Sequence, residues 1–282
     1  MRITFASTIF ERVPLAAPFG FKGGYLTEMW QAAAGLGAAD GPAAVGLGSQ
    51  SVLWSDARVF AEHGEAAGNC IMFQLTDYAA REAMKAAWAT PTELLDRLLP
   101  TVYEHGRTLT GRSDLRMTFA LNALVPVDNA AWLLYAAAKG VTSFEDLIPA
   151  EARPAMSVRH EKVALVPLMS YGVPIDEIVQ AVDDGCCVLK IKIGADPDHD
   201  GDQEKMLAWD RARLAAIHEA VGDRRTPHTT NGRIAYYLDA NGRYDGLDRL
   251  SRLLDHADRI GALDRIVLLE EPFPEEVKVD VA

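Results

Sequence analysis

The spacing of apolar and polar positions changes character twice along the chain. Residues 2–13 read as a strand that Glu11-Arg-Val-Pro14 ends, and further strands are predicted over 25–34 and 43–47. Two loops separate and follow them, a Pro/Gly/Phe-rich stretch after Pro14 and the run Gly48–Asp56. From about 76 to 148 the period becomes helical. Thr90-Pro-Thr-Glu93 fits a capping box with proline at the first helical position, leading into Leu94, Leu95, Leu98 and Leu99. Asp128 reads as the cap of a helix running through Trp132, Leu133 and Ala136, which Gly140 stops. Strands followed by helices predict an α+β domain over 1–150, closed by the linker-like stretch Ile148–Pro154.

Beyond about 160 strand and helix alternate. Val163–Met169 is a predicted strand, and Pro174 opens a helix with Ile175, Ile178, Val179 and Val182 on one face. The run Cys186–Ile193 follows as a strand, then a helix over 203–221 with Leu207, Leu214, Ile217 and Val221 in phase. A strand ending on Asp239, a helix with Leu247, Leu250, Leu253 and Leu254, and a strand ending on Glu270 complete the pattern. Near-continuously apolar strands alternating with helices predict a parallel sheet covered by helices.

One strand breaks the apolar rule. Cys-Cys-Val-Leu-Lys-Ile-Lys-Ile places Lys190 and Lys192 on the same side, about 7 Å apart along the strand. Lysine is almost never buried without a partner, so anions are expected nearby. Asp239 and then Glu270 and Glu271 stand at the ends of the next two predicted strands, and the ends of successive parallel strands meet at one rim. Asp239 and Glu270 are hard oxygen donors with no cysteine or histidine beside them, which suits Mg²⁺ better than Zn²⁺. Such an ion would hold a substrate carboxylate and stabilise the charge left when a neighbouring C–H proton departs. Lys192 is the candidate general base, with Lys190 and the cation both disfavouring a further positive charge. Lys190 is also a candidate contact for the substrate carboxylate. Asn241 is either a turn residue before Gly242 or a support for the site. The plain alternative is that these charges form structural salt bridges, an arrangement that adds little stability when buried.

Composition narrows the partners. The net charge of −12 with no basic stripe argues against nucleic acid or an anionic membrane. The three cysteines, two of them adjacent, do not suggest a disulfide framework, so a reducing compartment is expected. The first residues lack an apolar leader core and no run approaches 18 continuous apolar residues, so a cytoplasmic protein is expected. Neither glycine-bearing loop has the spacing of a phosphate cradle. Asp196–Asp202 imitates the start of a calcium loop, but its twelfth position is Leu207 rather than glutamate.

Taken in order, Lys190-Ile-Lys192, Asp239-Ala-Asn-Gly242 and Leu269-Glu-Glu-Pro-Phe273 resemble the enolase superfamily, in its mandelate racemase and muconate lactonizing enzyme branch. Val127–Lys139 is similar to the last helix of that family's capping domain. The resemblance implies a capping domain over a modified TIM-type βα barrel, with 151–282 holding only its first half, because a closed barrel typically takes ~250 residues. It implies a Mg²⁺-stabilised enediolate formed from a small-molecule carboxylate, with a Lys base of the kind the superfamily uses. It further implies that loops 14–25 and 46–56 choose the substrate, which makes Phe21 and Trp54 candidate substrate contacts. Glu271 is a possible substitute ligand, although its neighbour position turns it from the Glu270 side. Racemisation or epimerisation by a homo-oligomer is the expected activity. Dehydration of an acid sugar and a truncated, non-catalytic binding module are the alternatives.

Overall fold

The computed structural model describes residues 1–21, 24–38, 41–85, 87–198, 200–274 and 277. It divides into two units, Met1–Val158 and Arg159–Ala282.

In the first unit, β1 (Ile3–Phe21) and β2 (Gly24–Ala38) form a long antiparallel hairpin, and β3 (Ala43–Gln50) pairs with the other side of β2. The loop expected over 14–25 is therefore mostly strand. Proline is tolerated there because β1 is an edge, and the register shift between Pro14 and Phe19 absorbs the irregularity. The loop expected over 46–56 is likewise structured, as the end of β3 and the short helix α1 (Val52–Ser55), capped by Ser51.

Of three longer helices, α2 (Ala57–Ala83, broken at Gly64) and α4 (Met117–Lys139) pack on this sheet, and α3 (Pro91–Thr110) packs on those two; the short α5 (Phe144–Leu147) follows in the chain. Thr90 caps α3 as its sequence predicts, accepting from the Glu93 N–H at 3.2 Å, while Glu93 reaches back to the Ala89 N–H at 2.7 Å. Asp128 does not cap a helix. It lies inside α4, which starts eleven residues earlier and carries Pro126 in its interior. That proline sits against β3 so closely that a Cβ on Gly46 would stand 2.2 Å from the Pro126 carbonyl oxygen. Side-chain amides of α4 bond the strand backbone as well, Asn122 to the Ser49 carbonyl at 2.9 Å and Asn129 to the Leu47 carbonyl at 2.7 Å. By length and composition α4 is apolar enough to cross a membrane, yet Phe119, Leu124, Val127 and Leu134 are core residues of this unit.

The second unit is a parallel sheet in the order β4-β5-β6-β7, comprising Leu168–Met169, Val188–Lys192, Ala235–Asp239 and Ile266–Glu270. Helices α6 (Ile175–Asp183), α7 (Gln203–Val221) and α8 (Leu247–Arg259) lie between successive strands in the chain. Leu189, Ile191, Ile193, Tyr236 and Leu238 share one buried cluster with Ile178, Leu214, Ile217 and Leu253 from those helices. The expected strand over Val163–Met169 pairs only at its last two residues. Val163 and Leu165 are exposed, and Pro167 has no N–H to give to a ladder. Cys186 and Cys187 likewise precede β5 rather than belonging to it.

Candidate active site

Side-chain alternation assigns the two faces of the second sheet different work. Leu189, Ile191, Tyr236 and Leu238 turn into the helices, so Lys190, Lys192, Tyr237 and Asp239 emerge on the opposite face. Parallel register then aligns the charges. Lys192 pairs with Asp239, and Asp239 with Glu270, which makes one row across the C-terminal ends of three strands.

The buried Asp239 carboxylate is the centre of that row. Its Oδ2 accepts from Lys192 Nζ at 2.6 Å and stands 2.9 Å from Lys190 Nζ. Lys190 also bonds Glu270 Oε2, and Lys192 also bonds Asn241 Oδ1. Burial alone would raise the Asp239 carboxyl, but the Lys192 and Lys190 ammonium groups outweigh it and hold the group below the usual range. Burial alone would lower Lys190, but its bonds to Glu270 and Asp239 outweigh that and hold it well above its ordinary value. Lys190 is therefore a fixed cation at neutral pH. Asn241 is more than a turn residue: at φ 47° its N–H donates to Asp239 Oδ1 at 3.1 Å while its side chain receives Lys192. Glu271 also adopts a positive φ, 41°, and its carbonyl accepts the Gly242 N–H at 2.6 Å.

Tyr237 belongs to this group although it is not one of the site candidates that the sequence motifs supply. Its hydroxyl donates to Glu270 Oε2 at 2.5 Å, and Lys190 Nζ stands 4.7 Å from its ring centre. The available signal was period-two alternation, which sets residue 237 on the same side as 239.

Whether these residues suit a divalent cation can be judged from their own arrangement. One cationic atom, Lys190 Nζ, already touches both Asp239 Oδ2 and Glu270 Oε2, so a single positive centre can reach both carboxylates. The donors are hard oxygens of the kind Mg²⁺ prefers, usually one or two carboxylates with water and substrate. Among the described residues no group of three or more His, Cys, Asp or Glu converges on a common point. The fit is to a cation held by two carboxylates of this chain, at a place where ammonium groups now sit.

Trp54 belongs to the first unit. It lies in α1 rather than in a loop and is half exposed. With Leu15, Phe19, Leu26 and Met29 it lines an apolar cavity of about 610 Å³. The side chain of Phe21 lies outside the described residues.

No family model and no curated protein matches the sequence. Solved structures do. A dipeptide epimerase from Enterococcus faecalis, complexed with Mg and the dipeptide L-Leu-L-Tyr, is 18% identical over 97% of this chain and 62% of its own, with a TM-score of 0.60. An N-succinyl Arg/Lys racemase from Bacillus cereus is 16% identical over 97% of this chain and 60% of its own, at 0.62. An L-talarate dehydratase from Polaromonas, complexed with Mg and L-glucarate, is 20% identical over 97% and 62%, at 0.58. A mandelate racemase/muconate lactonizing enzyme-like protein from Rubrobacter xylanophilus is 18% identical over 98% and 62%, at 0.57. The chain spans about three fifths of the length of these structures. Over that span it has the fold that its lysine, aspartate and glutamate motifs implied, the fold of the mandelate racemase and muconate lactonizing enzyme-like proteins.

Proposed function

We propose that this chain carries the proton-abstracting part of a Mg²⁺-dependent site that works α to a substrate carboxylate, with racemisation or epimerisation as the outcome. The observation that carries the proposal is the row Lys192, Asp239, Glu270 at three neighbouring strand ends, with Lys190 bridging both acids. Lys192, as the free amine, takes the proton from one face of the α-carbon, and inversion requires a second acid/base group, outside this row, to deliver a proton to the opposite face. Lys190 keeps its charge and faces the carboxylate. Asp239 and Glu270 are the residues that would hold Mg²⁺, and bound there the ion would supply fixed positive charge against the substrate carboxylate as its α-carbon loses the proton. Asn241 and Tyr237 orient Lys192 and Glu270 through the bonds described above. The Mg-bound epimerase and dehydratase of the same fold support this reading. The dehydratase among them keeps open the second outcome, loss of water after the same first step.

The experiment is ¹H/²H exchange at the α-carbon in D₂O, followed by NMR over a panel of N-acylated amino acids, dipeptides and acid sugars, with Mg²⁺ and with chelator. Exchange that needs Mg²⁺ and falls by about a hundredfold or more in Lys192→Ala is expected, the scale at which a general base acts. Exchange without water loss identifies the isomerase. A Lys192→Ala protein with undiminished exchange removes Lys192 from the role assigned to it. Absence of exchange across the panel, with no stabilisation of the fold by Mg²⁺, leaves the binding module as the better reading.

A further inference from the structure

Beside the lysine strand lies a carboxylate that the proposed chemistry does not use. Asp210 sits in the middle of α7, fully buried and pointing at the turn by which the chain leaves β5. The Gly194 N–H donates to both of its oxygens, at 2.9 and 2.7 Å, and the Ala195 N–H to Oδ1 at 3.4 Å. The Tyr244 hydroxyl, from the segment after β6, donates to Oδ2 at 2.7 Å. A buried carboxylate is costly unless donors surround it, and here every donor belongs to the two segments that flank Lys192 and Asp239.

The rest of the turn is held as closely. Tyr171 bonds the Ile193 carbonyl at 3.0 Å, the Ile193 N–H donates to the Asp239 carbonyl at 3.0 Å, and Arg243 Nε donates to the Gly194 carbonyl at 3.3 Å. Gly194 is at φ +84°, and a Cβ there would stand 2.5 Å from the Arg243 Cβ, so no side chain fits where the turn passes the post-β6 segment. Lys192 is two residues away. Its Nζ must meet Asp239 and Asn241 at once, and Asn241 is reached through the same post-β6 segment that Tyr244 ties down.

We propose that Asp210 is a positioning residue for Lys192: it clamps the turn after the lysine strand to the turn after the Asp239 strand, and so fixes where the Lys192 amine stands. The proposal rests on Lys192 being the base, and its test is built so that the two ideas fail separately. The full chain is made as wild type, Asp210→Ala, Asp210→Asn and Tyr244→Phe. Each is labelled with an amine-reactive acetylating reagent, and Lys192 is followed by peptide mass spectrometry with the exposed Lys162 as reference. Asp210→Ala is expected to label Lys192 about tenfold faster at unchanged Lys162 reactivity, the factor that losing a hydrogen bond to a charged group implies. Asp210→Asn retains an acceptor for Gly194 and a partner for Tyr244, and recovers most of the protection.

On substrates that the wild type exchanges, Asp210→Ala is expected to lower kcat by about a hundredfold with KM little altered, since a displacement near 1 Å suffices for that. Wild-type labelling of Lys192 and wild-type kcat in folded Asp210→Ala, even with a lowered Tm, would overturn the proposal and leave Asp210 a purely structural residue. Should Asp210→Ala not fold, Tyr244→Phe decides: faster Lys192 labelling supports the clamp, and unchanged labelling refutes it. If no substrate exchanges in the wild type, the function proposal fails while the labelling still tests the clamp.

Discussion

Replacing Asp239 by asparagine tests the charged row most directly, because it removes one charge and leaves the volume unchanged. The carboxylate is 1% exposed and its two lysines 23% and 11%, so the substitution leaves two ammonium groups facing a neutral amide. Removing one partner of a buried pair typically costs about 3–5 kcal/mol. Both lysines retain some water, and Lys190 retains Glu270, which brings the expected loss to about 2–3 kcal/mol.

The pH dependence has a definite sign. The folded carboxyl titrates below its ordinary value, because the Lys192 and Lys190 bonds outweigh its burial. Its stabilisation is therefore complete above about pH 4 and is lost as the pH falls through the lower folded value. Native-state hydrogen exchange of peptides covering β5 and β6 reads this unit separately from the helices of the first unit. The loss corresponds to exchange about 30- to 150-fold faster at pH 7, at about 1.4 kcal/mol per tenfold, with the gap from wild type closing below about pH 4. A change of less than twofold at pH 7 would refute the reasoning, since an assembled network cannot lose its central charge without cost.

Two further outcomes follow from packing and burial. Gly46→Ala forces a methyl group into the α4 backbone at 2.2 Å, so the first unit should lose about 3 kcal/mol or more in urea titration followed by far-ultraviolet circular dichroism; a loss under about 1 kcal/mol would mean that β3 and α4 separate freely. Asp210 is pushed from 3.8 up to about 6, chiefly by burial, against its bonds from Tyr244, Gly194 and Ala195, so its effect on stability has the opposite sign to that of Asp239. Its own contribution to stability is greatest below pH 3.8 and falls as the pH rises to about 6, by about 3 kcal/mol at ~1.4 kcal/mol per pH unit. Asp210→Asn should flatten that slope, as measured by exchange of the β5 peptide between pH 4 and 7; an unaltered slope would place the titration elsewhere.

Much of the second unit was legible in the sequence because its signals are local. Alternation alone sets Lys190 with Lys192 and turns Leu189 and Ile191 to the helices, and the run of βα units requires a parallel sheet. The capping box at Thr90–Glu93 is likewise a matter of four residues. Where neighbours outside the segment decide, the sequence misled. Pro14 reads as the end of a strand, but an edge strand with a bulge can carry it. Asp128 reads as a cap, but packing on β3 holds α4 continuous through Pro126. Val163–Met169 reads as a full strand, but a strand exists only where a partner offers a ladder, and here that is two residues.

The sequence by itself determined which charges would be present and on which face of their strands, since the period of a strand belongs to the backbone. Tertiary structure decided the rest. Register put Asp239 between the two lysines and Glu270 beyond it, a positive φ swung Asn241 back onto Lys192, and α7 carried Asp210 to the turn at Gly194. Those meetings join residues 16 to 80 positions apart, a separation across which propensity and periodicity carry no information.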